Sequence, residues 1–452
     1  MKNNDFNVLV IGAGPGGTAA GVKSAQLGAR VGLIEKSLVG GTCLHWGCIP
    51  TKALIQSGIL YKQAQKLRQF GVQVAEVKLD FETIQMRKDR IIKQLRAGNE
   101  RVISSYGITV LNGQASFKDK HTLNVVSSDG SHKEYTADHF IIASGSISKK
   151  YPQFKDESVC ITTDEALNFK SIPSSLVIVG AGSVGLEFAS LFSMLGVQVH
   201  VVEMLEQILP SLDTEVSGIL IKELQRQGIS MHTASQIFSV ENNKVRIKKQ
   251  NGEISELDAE KIIWAAGRKA YIDNLELSNA DITYNEKGIV VDAHMMTSNK
   301  QVYAVGDAAG ICQLAYTASA EGVVAAGHAL GAESTMDYNG IPYALYTEPQ
   351  TAWVGACEGA HTGRFPLLAS SKAAILGNRT GMIKLHTNAE GIVMGVHMIG
   401  PGVTELIPIA AHAVKNKMHI RDWKRQQFTH PSLNETLFMA GEDCYENIAR
   451  LA

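Results

Sequence analysis

Residues 7–17 read NVLVIGAGPGG. An apolar run that closes on glycine is the pattern of a buried parallel strand. Gly12, Gly14 and Gly17 form a GxGxxG turn, and an alanine-rich helical stretch follows to Leu27-Gly28. A second apolar run, Val31 to Ile34, ends on Glu35, 23 positions after Gly12. This is a βαβ unit whose glycines let the backbone approach a pyrophosphate at a helix N-terminus, with an acid placed to accept ribose hydroxyls. One such turn is weak evidence. Residues 175–185 read SLVIVGAGSVG, however, and repeat the design with Gly180, Gly182 and Gly185. A helical stretch runs to Gly196, then a strand from Val197 to Val202, and Glu203 again stands 23 positions after its first glycine. Two copies, each after a strand and before a helix, point to two dinucleotide-binding domains rather than to two ordinary glycine-rich turns.

Each copy has a later partner strand that closes on glycine: FIIASG up to Gly145, and IIWAAG through Ala266 to Gly267. Short alternating segments over 114–138 and 234–258, with turns at Ser128-Asp129-Gly130 and Asn251-Gly252, predict a small β insertion in each domain. Residues 203–208, EMLEQI, carry no cation for a 2′-phosphate, so the second site favours NAD over NADP.

The 452 residues suggest about three domains. With 43 Lys+Arg against 44 Asp+Glu the net charge is -1, which argues against nucleic acid or acidic lipid as partners. No run of about 20 apolar residues is present, so no membrane span is expected. The start of the chain breaks into strand too early for a signal peptide. Six cysteines are too few for a disulfide scaffold, and the expected compartment is a reducing cytoplasm.

Residues 40–52 read GGTCLHWGCIPTK. Cys43 and Cys48 sit five apart, and Pro50 after the glycines marks the start of a helix whose dipole would favour a thiolate. Other ligands for a metal are not nearby, so no metal site is expected. Cys160, Cys312 and Cys357 read as buried or incidental thiols, and Met295-Met296 as core packing.

Taken together, these stretches resemble the FAD-dependent pyridine nucleotide–disulfide oxidoreductases of class I over nearly the whole chain. The resemblance extends to VYAVGD (302–307), YTEPQTAWVG (346–355) and HPSLNE (430–435). It implies an α/β fold of two Rossmann-like domains and a C-terminal α+β dimerisation domain. The expected boundaries are 1–146 for FAD, 147–267 for NAD, 268–336 for a central domain and 337–452 for the interface. FAD contacts are implied at Gly12, Gly14, Gly17, Glu35, Lys36, Gly41, Thr42, Lys52, Ala115, Gly145, Asp307 and Ala315. NAD contacts are implied at Gly180, Gly182, Ser183, Val184, Gly185, Glu203, Ile237, Ala266, Gly267 and Arg268. In the family the cysteine in the position of Cys48 faces the flavin, and that of Cys43 exchanges with substrate. Lys52 would lie by the flavin and pair with Glu187. His430 would be the general base, oriented by Glu435 and supplied across a homodimer. The implied activity is oxidation of a dihydrolipoyl dithiol with reduction of NAD, the partner being a lipoyl-bearing carrier of a 2-oxoacid dehydrogenase or glycine-cleavage type complex.

Several positions depart from the family pattern. His45-Trp46 stands between the cysteines, a pair also seen in flavin-dependent soluble transhydrogenases, which lack the first cysteine. Phe428 occupies the position of a second histidine, Tyr316-Thr317 replaces His-Lys, and Gly267-Arg268-Lys269-Ala270 lacks the usual Pro-Asn. The segment 356–363 is shortened by roughly ten residues relative to the family. Reduction of another disulfide, transhydrogenation, and a catalytically silent structural flavoprotein are the competing readings. The joint presence of Cys43, Cys48, Lys52, Glu187, His430 and Glu435 weighs against the silent one.

Overall fold

Strand Phe6–Ile11 lies inside the first sheet, with another strand hydrogen-bonded on either side. In the computed structural model, which describes residues 4–149, 158–241 and 243–451, it runs parallel to Val31–Glu35 on one side and His132–Ile142 on the other. Val10 sits opposite Leu33 and Ile141, and all three are buried. Such two-sided burial explains the unbroken apolar run. Thr109–Asn112 and Val302–Ala304 extend the parallel part of the sheet. The first half of His132–Ile142 pairs antiparallel with Thr122–Val126, and that strand with Gln114–Asp119, so the β insertion leaves the sheet through one long strand.

The second sheet repeats the plan. Ile229–His232, Gln198–Val202, Ser175–Val179, Lys261–Trp264 and Cys160–Thr162 are all parallel in that order. A three-stranded meander over Ser235–Glu241, Lys244–Lys249 and Ile254–Asp258 forms its insertion. Two short strands, Ser146–Ser148 and Arg268–Ala270, pair antiparallel where the chain leaves and re-enters the first unit.

The third sheet is antiparallel throughout: Pro342–Leu345, Thr351–Gly355, Val393–Ile399, Met382–Thr387 and His361–Pro366. Helices Val403–Lys415 and Asn434–Leu451 cover it, burying Ile407, Ala410, Leu437 and Ala440. Residues 356–360 are all that separate its second strand from His361–Pro366.

One hydrophobic cluster joins these parts. Leu54 and Ile55 of helix Cys48–Gln65 pack with Leu191 and Phe192 of helix Ser183–Met194 and with Leu345 and Trp353 of the third sheet. A Cβ at Gly58 would lie 3.3 Å from Met194, so the two helices meet closely there. This contact sets where the cysteine helix stands relative to the second fingerprint helix. No helix among the described residues is long and apolar enough to cross a membrane.

Candidate active site

The two glycine loops are built alike. Gly12 has φ +102° and Gly180 +104°, a region that favours glycine. A Cβ at Gly17 would meet the Gly12 carbonyl oxygen at 1.8 Å, and one at Gly185 the Gly180 oxygen at 1.9 Å. The acids close the loops in the same way. Glu35 accepts from the Ala13 and Ser37 amides, both at 2.8 Å. Glu203 accepts from the Ala181 amide at 2.7 Å and the Leu205 amide at 2.9 Å. These bonds were not foreseen: besides any ribose contact, each acid ties its loop to the end of the second strand.

A cleft of about 550 Å³ opens at the first loop. Its walls include Gly12, Gly14, Glu35, Lys36, Gly41, Thr42, Cys43, Cys48, Lys52, Ala115, Gly145, Asp307 and Ala315. Val184 and Glu187 of the second fingerprint helix and Arg268 reach the same cleft. The features of this wall fit a flavin dinucleotide. A Cβ at Gly41 would come within 2.8 Å of Gly14 Cα, so the two loops approach backbone to backbone. The helix start at Pro15 carries no acid in its first turn, as an anion site at a helix N-terminus requires. Ser144 Oγ, in the cleft wall, is buried without a protein partner, the kind of group that a bound molecule satisfies.

The cysteines sit on consecutive helical pieces. Cys43 lies in the single turn Gly41–His45 and Cys48 is the first residue of Cys48–Gln65. The helix begins two residues before Pro50, which is tolerated in the first turn because its missing N–H would have been unpaired there. Both thiols are free. Hydrogen-bonding interaction with the Cys43 thiol holds the Cys48 thiol down to about 7, with the Lys52 ammonium helping against burial, and the same interaction pushes Cys43 up. Cys48 is therefore the sulfur that ionises first. Its helix N-terminus acts in the same direction. We expect the reduced pair to react with an alkylating reagent at a rate that rises through about pH 7. Lys52→Met should move that inflection up by about one unit, since an opposite charge within a few ångströms shifts a pKa by one or more. An unmoved inflection would remove Lys52 from this role.

Lys52 Nζ lies 2.6 Å from Glu187 Oε2. Glu187 is 4% exposed, and its other oxygen accepts the Tyr346 amide at 3.1 Å. A buried carboxylate so paired avoids most of its desolvation cost. The Tyr346 ring lies 4.9 Å from Lys52 Nζ. This link from the third sheet escaped the sequence reading, because a backbone amide leaves no residue-type signal.

Arg268 stands in the cleft wall. Its Nε donates to Ser146 Oγ at 2.7 Å and its outer nitrogens to Ser148 Oγ and the Ser146 carbonyl. Ser146 Oγ in turn donates to Asp307. Arg268 thus reaches the Asp307 side of the cleft through a serine. Ile237 is half-buried against the core of the second domain. His430 and Glu435 are joined, Nδ1 to Oε1 at 2.8 Å, but do not line the cleft of their own chain, and the His430 side chain is 71% exposed.

Comparison with known proteins decides the family. Residues 6–322 match the model of the pyridine nucleotide-disulphide oxidoreductases, and residues 341–440 match their dimerisation domain. The chain belongs to the pyridine nucleotide-disulphide oxidoreductase family. It is 36% identical over 450 residues to a dihydrolipoyl dehydrogenase of Bacillus subtilis, covering 96% of this chain and 98% of the relative. To that of Geobacillus stearothermophilus it is 32% identical, with 98% and 97% covered. An HOCl-induced flavoprotein disulfide reductase from Escherichia coli, solved as a Cu(II) complex, superimposes with a TM-score of 0.86 at 26% identity, covering 97% and 99%. Members of the family use FAD and NAD on this fold, and the dimerisation domain makes the protein a homodimer.

Family membership gives the second glycine loop a direct test. Gly185→Ala would press a methyl group to within 1.9 Å of the Gly180 oxygen. We expect NAD affinity to fall at least about tenfold, as steric displacement of a pyrophosphate loop requires, while FAD content stays at wild-type level. Titration with NAD beside the flavin spectrum separates the two; equal loss of both would mean that the loops are not independent.

Proposed function

We propose that the chain oxidises a dihydrolipoyl dithiol to its disulfide and reduces NAD, through a redox-active Cys43–Cys48 pair. The observation that carries this reading is the thiol pair with Cys48 ionising at about 7, set beside Lys52–Glu187 in the cleft that both fingerprint helices enter. Full-length likeness to dihydrolipoyl dehydrogenases supports the substrate class. The chain divides into FAD-binding (1–146), NAD-binding (147–267), central (268–336) and interface (337–452) domains. The partner is a lipoyl-bearing carrier, and the low cysteine count suits a reducing cytoplasm.

The chemistry follows from the geometry. A substrate thiolate attacks Cys43 Sγ of the oxidised pair, the Cys43–Cys48 bond breaks, and Cys48 departs as a thiolate. A sulfur of low pKa is the better leaving group, which fits Cys48 to this part. The second substrate thiol loses its proton to a base, attacks the substrate sulfur of the mixed disulfide, and frees Cys43. One proton stays between Cys43 and Cys48 and the other leaves. Glu35, Asp307 and the Gly12–Gly17 loop would hold the flavin nucleotide, and Glu203 with the Gly180–Gly185 loop would hold NAD. A bound flavin would supply the two-electron chemistry that links the reduced cysteines to the nicotinamide. Lys52 presents a positive charge to the Cys48 thiolate.

His430 supplies the base. Because Nδ1 is engaged by Glu435, Nε2 is left to accept a proton. Its exposure in the single chain fits delivery to the partner's cleft. Steady-state turnover with dihydrolipoamide and NAD tests the whole reading, beside NADP and beside NADPH with oxidised glutathione. Fast turnover is expected with the first pair alone. Its absence in flavin-loaded protein overturns the substrate assignment.

A further inference from the structure

We infer that Glu321 is a positioning residue for FAD, holding the turn that presents Asp307 and tying it to the chain that enters the interface domain. The inference rests on the reading of Asp307 as a flavin contact. Glu321 is the only acid in helix Ala315–Ala329 and is 0% exposed. A carboxylate so deep in an apolar helix packing needs hydrogen-bond donors to offset its lost hydration. It has two. Oε2 accepts the Gly306 amide at 2.5 Å and Oε1 accepts the Tyr338 hydroxyl at 2.8 Å.

Each donor is informative. Gly306 immediately precedes Asp307 and has φ +66°, and a Cβ there would meet Ala318 Cβ at 3.0 Å. The turn is thus pressed against the same helix that carries Glu321. On its other side Asp307 is held by Ser146, which Arg268 holds in turn. The turn is clamped from both faces, and the Glu321 carboxylate holds its Gly306 amide. Tyr338 lies four residues before the first strand of the third sheet, Pro342–Leu345. A Cβ at Gly322 would meet the Gly16 oxygen at 2.3 Å, so the helix lies backbone to backbone on the first fingerprint helix and has no room to shift. Glu321 therefore joins the Asp307 turn to the entry of the interface domain through one buried carboxylate.

The test is the FAD dissociation constant of the holoenzyme, read from flavin fluorescence released on dilution. Glu321→Leu leaves the Gly306 amide without an acceptor, and we expect about tenfold or greater weakening, the effect of an unsatisfied buried donor. Glu321→Gln should stay within about threefold of wild type, because its amide oxygen can accept from Gly306 while its NH2 donates to the Tyr338 oxygen. Rescue by Gln is what a merely space-filling role would not produce selectively. Wild-type affinity in Glu321→Leu, or equal weakening by Gln and Leu, overturns the inference. If Glu321→Leu does not fold, Tyr338→Phe decides: severalfold weakening supports the role and wild-type affinity overturns it. Asp307→Ala, measured alongside, separates the premise from the inference. Retention of FAD there removes the premise and the inference together, whereas weakening there without weakening in Glu321→Leu overturns the inference alone.

Discussion

Cys48→Ser should abolish dithiol-dependent NAD reduction while the yellow cofactor stays bound. The residue opens helix Cys48–Gln65 and carries the thiol that ionises at about 7. Serine is close to isosteric, and the neighbouring contacts of the cleft do not depend on sulfur. A hydroxyl cannot form or leave a disulfide, so the loss should reach the background of the assay, a factor of about 10³ or more, on the scale of removing a nucleophile from a concerted site. Flavin absorbance and NADH formation, measured on the same preparation, test both halves. Retained turnover would remove Cys48 from the electron path. Loss of flavin would make it structural.

His430→Gln should lower dithiol turnover about a hundredfold or more, the usual contribution of a positioned base. Glutamine keeps a polar side chain near Glu435 but cannot take the proton. The same variant tests where the base acts. Cys48→Ser and His430→Gln homodimers are each expected to be nearly inactive. Mixed and allowed to exchange subunits, they form hybrids in which one cleft has an intact Cys48 and faces the partner subunit's His430, also intact. Recovery of about one-quarter of wild-type activity is expected for random exchange, since half the dimers are hybrids with one good cleft each. If His430 served its own chain, each cleft of a hybrid would still carry one lesion and nothing would be recovered.

How much of this was legible in the residues varies with the kind of interaction. The two fingerprints could be read because a glycine that must sit within 1.8 Å of a carbonyl, were it alanine, has no substitute. The carboxylates at 35 and 203 stood at a spacing that the βαβ unit itself imposes. The Lys52–Glu187 pair could be named only through likeness to a family, since 135 positions separate its members. Glu321 was passed over, although a single acid in a run of alanine and glycine is a visible signal that it must be either surface-exposed or fully paired. The Arg268–Ser146–Asp307 chain left no signal at all. Asp307 and Arg268 were each named for a different cofactor, and Ser146, which joins them, is an ordinary polar residue.

Two dinucleotide folds, a thiol pair at the start of a helix and a preference for NAD at the second site could be read from the residues alone. These follow from local rules, because loop glycines, strand burial and the acids at the strand ends act over about two dozen residues or fewer. Tertiary structure decided what those parts do to one another. It set helix Cys48–Gln65 against helix Ser183–Met194 through Leu54, Ile55 and Phe192, and so brought Lys52 to Glu187. It placed the Tyr346 amide on Glu187 and the Tyr338 hydroxyl on Glu321, from either side of the first strand of the third sheet. It left His430 on the outside of its own chain. Such contacts depend on how whole layers pack, and packing is set by the summed shape of many apolar side chains, which no local pattern in the sequence records.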